Sequence, residues 1–223
     1  IPMFRNLLLG IILLAASILP CWAQLRLVRG AADFQVFQRG ANNVADLSLA
    51  GDAPGLDGKR VEARVLATNP VREERGWGAI ATVSGGRWSG DVRGLAAGGP
   101  YSLELRAEGT QSVVRAVNLL VGDLWVLAGQ SNMEGIGDMV DVVPPHAMVN
   151  SFDMTDTWVV AQEPLHFLAY SLDRVHWRIQ RNPNQPERLQ ASQVNEVIRT
   201  RTKGAGLGMP FAVEMVRLTG VPV

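Results

Sequence analysis

Residues 119–135 read Leu119-Leu120-Val121-Gly122-Asp123-Leu124-Trp125-Val126-Leu127-Ala128-Gly129-Gln130-Ser131-Asn132-Met133-Glu134-Gly135. The run 124–128 is wholly apolar. Such a run reads as a strand buried on both faces, as in a parallel sheet covered by helices. It leads straight into Gly129-Gln130-Ser131. A serine just past the carboxyl end of a buried strand stands where α/β enzymes place their chemistry. Gly129 lets the chain turn, and the Ser131 amide can face a developing oxyanion. A helix cap uses the same residue types, so spacing alone leaves both readings open.

Upstream, residues 24–118 are written in short strands and turns. Residues 33–38, 61–66 and 101–107 alternate apolar with polar, and 79–83 and 111–120 are further strands. Turns are marked by Gly55-Leu56-Asp57-Gly58, Ser84-Gly85-Gly86, Ala97-Gly98-Gly99-Pro100 and Glu108-Gly109-Thr110. Strands at this spacing predict an all-β antiparallel sandwich. Trp77 and Trp88 are expected in its core or over its edge, with sugar stacking as the alternative.

Downstream, residues of about 137–203 read as an insertion rich in Pro, Asn, Gln and Arg with scattered aromatics. Short strands are expected at 149–152 and 157–160, and no regular structure over 178–201. Phe211, Ala212, Met215 and Leu218 have helical spacing. Gly220 would stop that helix, and 221–223 would open a second parallel strand. Strand, long loop, helix, strand is the opening βαβ unit of a flavodoxin-like sheet.

The N-terminus reads as an address. Arg5 precedes an apolar run over residues 7–19, followed by Pro20-Cys21-Trp22-Ala23-Gln24. This is the pattern of a secretory signal peptide spanning 1–23. The run is short of the roughly 20 residues that a spanning helix needs. The expected location is therefore secreted or periplasmic, with no stable membrane association after cleavage. The opening Ile1-Pro2 and the abrupt Val221-Pro222-Val223 end read as a truncated chain.

Composition narrows the function. Twenty-one basic residues balance 21 acidic ones, so no excess charge exists to neutralise phosphates, and nucleic acid is not an expected partner. A content of 47% hydrophobic and 19% charged residues excludes a disordered chain. One Cys excludes a disulfide framework and a Cys-based zinc site. No His/Asp ligand pair has i, i+4 spacing on a helix, so a metal site is not expected; no cofactor is expected either.

Gly122-Asp123-Leu124-Trp125 followed by Gly129-Gln130-Ser131-Asn132-Met133-Glu134 resembles the signature of the sialate O-acetylesterase family, the SASA branch of the SGNH hydrolases related to carbohydrate esterase family 6. Phe37-Gln38-Arg39-Gly40, Arg87-Trp88-Ser89-Gly90, Gly98-Gly99-Pro100-Tyr101-Ser102-Leu103 and the stretch 203–212 resemble further blocks of such proteins. The resemblance implies an α/β flavodoxin-like SGNH domain over 119–223, incomplete at its C-terminus, behind the sandwich. It implies an acetylated sugar or polysaccharide as substrate and Ser131 as nucleophile, with Gln130 and Asn132 ordering its loop by hydrogen bonds. It places the catalytic histidine in a later DxxH-type block, beyond Val223. Residues 24–223 are then expected to lack appreciable esterase activity. Asp173 and His176 have that spacing but lie close behind the serine, and His146 and His166 sit in loops. A lipase-like SGNH enzyme would carry Gly-Asp-Ser-Leu, which is absent. A non-catalytic carbohydrate-binding sandwich with a degenerate hydrolase remnant is the alternative.

Overall fold

The computed structural model describes residues 24–68, 71–177 and 187–223, with 71–73 described through their backbone. The expected leader at 1–23 lies outside the described residues. The chain is mostly β with few helices. Seven strands come first: β1 (Val36–Gln38), β2 (Val44–Asp52), β3 (Arg60–Thr68), β4 (Val71–Thr82), β5 (Arg87–Ala96), β6 (Gly98–Ala107) and β7 (Val114–Gly122). Five form a sheet in the order β1-β7-β6-β3-β4, and β2 pairs with β5 in a second. Every pairing is antiparallel except β1 with β7.

The period-2 alternation of β3 buries Val61, Ala63, Val65 and Ala67 on one face. Leu103 and Leu105 of β6, Leu119 of β7, Leu47 and Leu49 of β2, and Val92 and Leu95 of β5 join the same cluster. The two sheets thus share one apolar core. Each such leucine contributes about 1.5–3 kcal/mol through burial. Trp88 belongs to this core, and its Nε1 donates to the Arg26 carbonyl at 3.2 Å. Trp77 does not. It is half-buried, with the guanidinium carbons of Arg64 and Arg106 4.7 and 4.1 Å from its ring centre.

The second half has its own small core of Val149, Ala161, Met209, Ala212 and Val216. Its elements are α1 (Ser131–Glu134), β8 (Gly137–Asp138), β9 (Asn150–Phe152), β10 (Trp158–Val160), α2 (Ala191–Thr200), β11 (Lys203–Ala205) and α3 (Gly208–Thr219). β9 and β10 form an antiparallel pair where two short strands were expected. α3 forms where the helical spacing lies, and Gly220 ends it in the left-handed conformation, φ 67°.

Two expectations are overturned. Residues 124–128 form no strand and are exposed, Val126 by 91%. A parallel core strand exists only when neighbours supply its ladder. Among the described residues one bond of that kind touches this segment's start, Asp123 N–H to the Pro222 carbonyl at 2.9 Å. The polar stretch 178–201, expected to lack regular structure, contains α2. Val194, Val197 and Ile198 give that helix a narrow apolar stripe, and the Gln193 side chain accepts the Gln190 N–H at its start.

Candidate active site

The serine loop is anchored at its entry by an ion pair between the two halves. Arg39 lies just past β1. Its Nε and Nη2 each donate to one carboxylate oxygen of Asp123, both at 2.9 Å. Bidentate geometry of this kind fixes orientation as well as distance. Gln38 adds two bonds: its Oε1 accepts the Leu124 N–H at 2.8 Å, and its Nε2 donates to Asp123 at 3.4 Å. The Arg39 hydrogen bonds hold the Asp123 carboxyl below the usual carboxylate range, against the opposing effect of partial burial. The Gln38-Arg39 and Gly122-Asp123 motifs, read separately in the sequence, are therefore one contact.

Backbone approach completes the junction. A side-chain carbon at Gly122 would lie 1.9 Å from the Pro222 carbonyl oxygen. Val223 donates to the Met148 carbonyl and accepts from the Asn150 N–H, both at 2.9 Å. Bonding to the residues on either side of Val149 is the parallel ladder pattern. Residues 222–223 therefore lie between the start of the serine loop and the 148–150 segment that leads into β9.

Gln130, Ser131 and Asn132 are all exposed. Ser131 is the first residue of α1, and among the described residues its hydroxyl has no hydrogen-bond partner. The side chains of Gln130 and Asn132 make none either. The turn is ordered by its backbone instead. The Gln130 carbonyl accepts from Met133 and Glu134 at 2.9 and 3.0 Å, and the Ser131 carbonyl from Gly135 at 2.9 Å.

Beneath α1 lies glycine backbone. Gly135 has φ 98° and Gly204 φ 140°, both costly for other residues. A side-chain carbon at Gly135 would sit 2.2 Å from the Gly204 carbonyl oxygen. β11 pairs antiparallel with β8 immediately after α1. The stretch Lys203-Gly204-Ala205-Gly206 thus supports the serine turn directly, a role that its glycines signal but spacing does not reveal.

Two clefts flank the turn. One, of about 380 Å³, is lined by Glu134, His166, Ser171, His176, Trp177 and Lys203 among others. The other, of about 360 Å³, is mainly apolar and lies between the exposed 124–127 segment and α3, with Trp125, Met133, Trp158 and Phe211 on its walls. His166 lines both, and its buried Nε2 has no partner among the described residues. The His166 and His176 rings meet edge to face at 6.3 Å. The Asp173 carboxylate accepts the Val175 N–H at 3.1 Å, capping the turn that holds His176. His146 Nδ1 accepts the Met148 N–H at 3.1 Å. Among the described residues no imidazole hydrogen-bonds to Ser131, and no group of three or more His, Cys, Asp or Glu is arranged to hold a metal. No described helix is long and apolar enough to cross a membrane.

Residues 121–223 match the family described as carbohydrate esterase, sialic acid-specific acetylesterase. No curated protein matches the chain. The matched segment starts at the end of β7 and takes in the Arg39-bound Asp123, the serine turn, both clefts and α3. Over that segment the chain is similar to the sialic acid-specific acetylesterases among the carbohydrate esterases.

Proposed function

We propose that the protein is an exported carbohydrate O-acetylesterase that removes acetyl groups from sugars through Ser131. The observation that carries this reading is the family match over a segment whose serine stands exposed at the head of α1, its hydroxyl without a partner among the described residues. Ser131 Oγ attacks the acetyl carbonyl while a base takes its proton. The oxyanion collapses, the sugar hydroxyl leaves with a proton, and water then releases acetate from the acetyl-serine. The base is assigned to the histidine of the later DxxH-type block that the resemblance implies. Asp173 is a weaker candidate partner for His176, because its carboxylate already serves the Val175 amide. Gln130 and Asn132 shape the exposed turn beside the reacting carbonyl.

The substrate is an O-acetylated sugar, an acetylated sialic acid or plant polysaccharide. The cleft holding Glu134, His176 and Trp177 suits it, offering an aromatic face and polar groups around one space. The same reading takes the fold as an antiparallel sandwich followed by a flavodoxin-like SGNH domain. The parallel bonding of Val223 beside Val149 supports the second part. Export rests on the 1–23 pattern, and the mature chain would begin at Gln24.

Acetate release from O-acetylated sugars by a chain that carries the later DxxH-type block, abolished by Ser131→Ala, tests the reading. A serine-directed phosphonate should label Ser131 alone. Undiminished hydrolysis by Ser131→Ala would overturn the assignment.

A further inference from the structure

Glu163 lines the mainly apolar cleft and belongs to none of the motifs read from the sequence. Its Oε1 accepts the Gly206 N–H and its Oε2 the Leu165 N–H, both at 3.2 Å. One carboxylate thus ties the 163–165 loop to the 203–206 segment. Hydrogen bonds to a charged acceptor are among the stronger ones a protein makes.

The far side of 203–206 is the serine turn. A side-chain carbon at Gly206 would lie 3.5 Å from the Gly135 Cα, 3.6 Å from the Asn132 carbonyl oxygen and 3.7 Å from that of Met133. On the near side, one at Gly204 would lie 2.9 Å from the Pro164 Cβ. The three layers are the 163–165 loop, the glycine backbone and the α1 backbone. Nothing flexible separates them, so a shift of the middle layer must be passed to α1.

We infer that Glu163 is a positioning residue for the serine turn, acting through Gly206 on the backbone of 132–135. This rests on the proposed acetylesterase function for its catalytic meaning, though the mechanical coupling stands apart from it. Glu163 need not touch substrate. Its carboxylate fixes the height of the glycine layer, and the glycine layer fixes where α1 presents Ser131. α1 has only one turn and no side-chain cap, so it has little stiffness of its own.

The test compares Glu163→Ala and Glu163→Gln by amide hydrogen exchange and by acetyl-ester kinetics on the full chain. In Glu163→Ala, exchange should accelerate about tenfold at Gly206 and several-fold at 133–135, with β3 and β6 unchanged. Its kcat should fall about tenfold while KM stays within about twofold. Glu163→Gln keeps one acceptor and should recover most of both, which guards against a simple folding defect. Wild-type exchange at 133–135 in Glu163→Ala overturns the inference, whatever the kinetics. A loss in KM rather than kcat overturns the positioning role. Activity surviving in Ser131→Ala would instead remove the proposed function, and exchange alone would still decide the coupling.

Discussion

Leu119-Leu120-Val121 and Leu124-Trp125-Val126-Leu127 are consecutive apolar runs with opposite fates. The first lies in β7 and is entirely buried. The second, two residues on, is 40–91% exposed. β7 has β6 on one side and β1 on the other, and its last residues are covered on both faces where Pro222 meets Gly122. Residues 124–127 have the Gln38 side chain at Leu124 and the Phe211 ring 5.2 Å from Trp125. Burial of an apolar strand is thus conferred by its neighbours and not by its letters. The first half of the molecule is organised by a core shared between two sheets, the second by a small core with short pairings and backbone contacts around one turn.

Substitutions should separate the halves. The largest effect belongs to Ser131→Ala, which, in a chain that carries the later DxxH-type block, should lower kcat on an acetyl ester by several orders of magnitude, on the order of 10⁴ or more. Its thermal midpoint should stay at the wild-type value, because the side chain is exposed and makes no bond among the described residues. A fall in both would mean that the turn needs the hydroxyl for its structure. Leu119→Ala should do the reverse. It removes a fully buried side chain from the shared core and should cost about 2–5 kcal/mol in denaturant unfolding. A cost below about 1 kcal/mol would show that the sheets are not packed as a single core.

Asp123 joins the halves and makes stability depend on pH. Its folded pKa is depressed, chiefly by the Arg39 hydrogen bonds. The stabilisation is therefore fully present above the ordinary Asp value of about 3.9 and is lost as pH falls through the lower folded value. At neutral pH, Asp123→Asn should lower the thermal midpoint by about 2–4 °C, the shift that 1 kcal/mol gives in a chain of this size. The gap between wild type and variant should close below about pH 4 in a series of melts. A gap that stays constant with pH would place the effect in packing instead of in the ion pair.

The same contrast explains what could be read in advance. β1, β3 and β6 announce themselves by alternation between turn signals. β5 does not, since Gly90 and Gly94 interrupt it and glycine is poor strand material. β2 alternates through Ala45, Leu47 and Leu49 but carries small residues and acids that blur its outline. α2 hides in a polar stretch because only three apolar residues mark its stripe. Around the turn, Ser131 is visible through its motif alone. Its anchor, Arg39 on Asp123, spans 84 positions, and the Glu163 bond to Gly206 spans 43. Period and spacing report local geometry, so contacts of that reach cannot be seen in them.

The smallest expected effect gives the sharpest test of the opening contrast. Val126 has the character of a core-strand residue and is 91% exposed. Val126→Ser removes little buried apolar area, so it should change unfolding free energy by no more than about 0.5 kcal/mol. Valine does favour extended backbone, but that preference matters where a ladder exists, and residue 126 has none among the described residues. Self-association is the property it should move. An exposed extended apolar segment invites pairing with another chain. Val126→Ser should therefore shift sedimentation towards monomer at high concentration while leaving the melt unchanged. A cost of 1.5–3 kcal/mol, the value of a fully buried side chain, would mean that 124–128 is covered in solution. The two apolar runs would then share one fate, and the difference between the halves would lie in the serine turn alone.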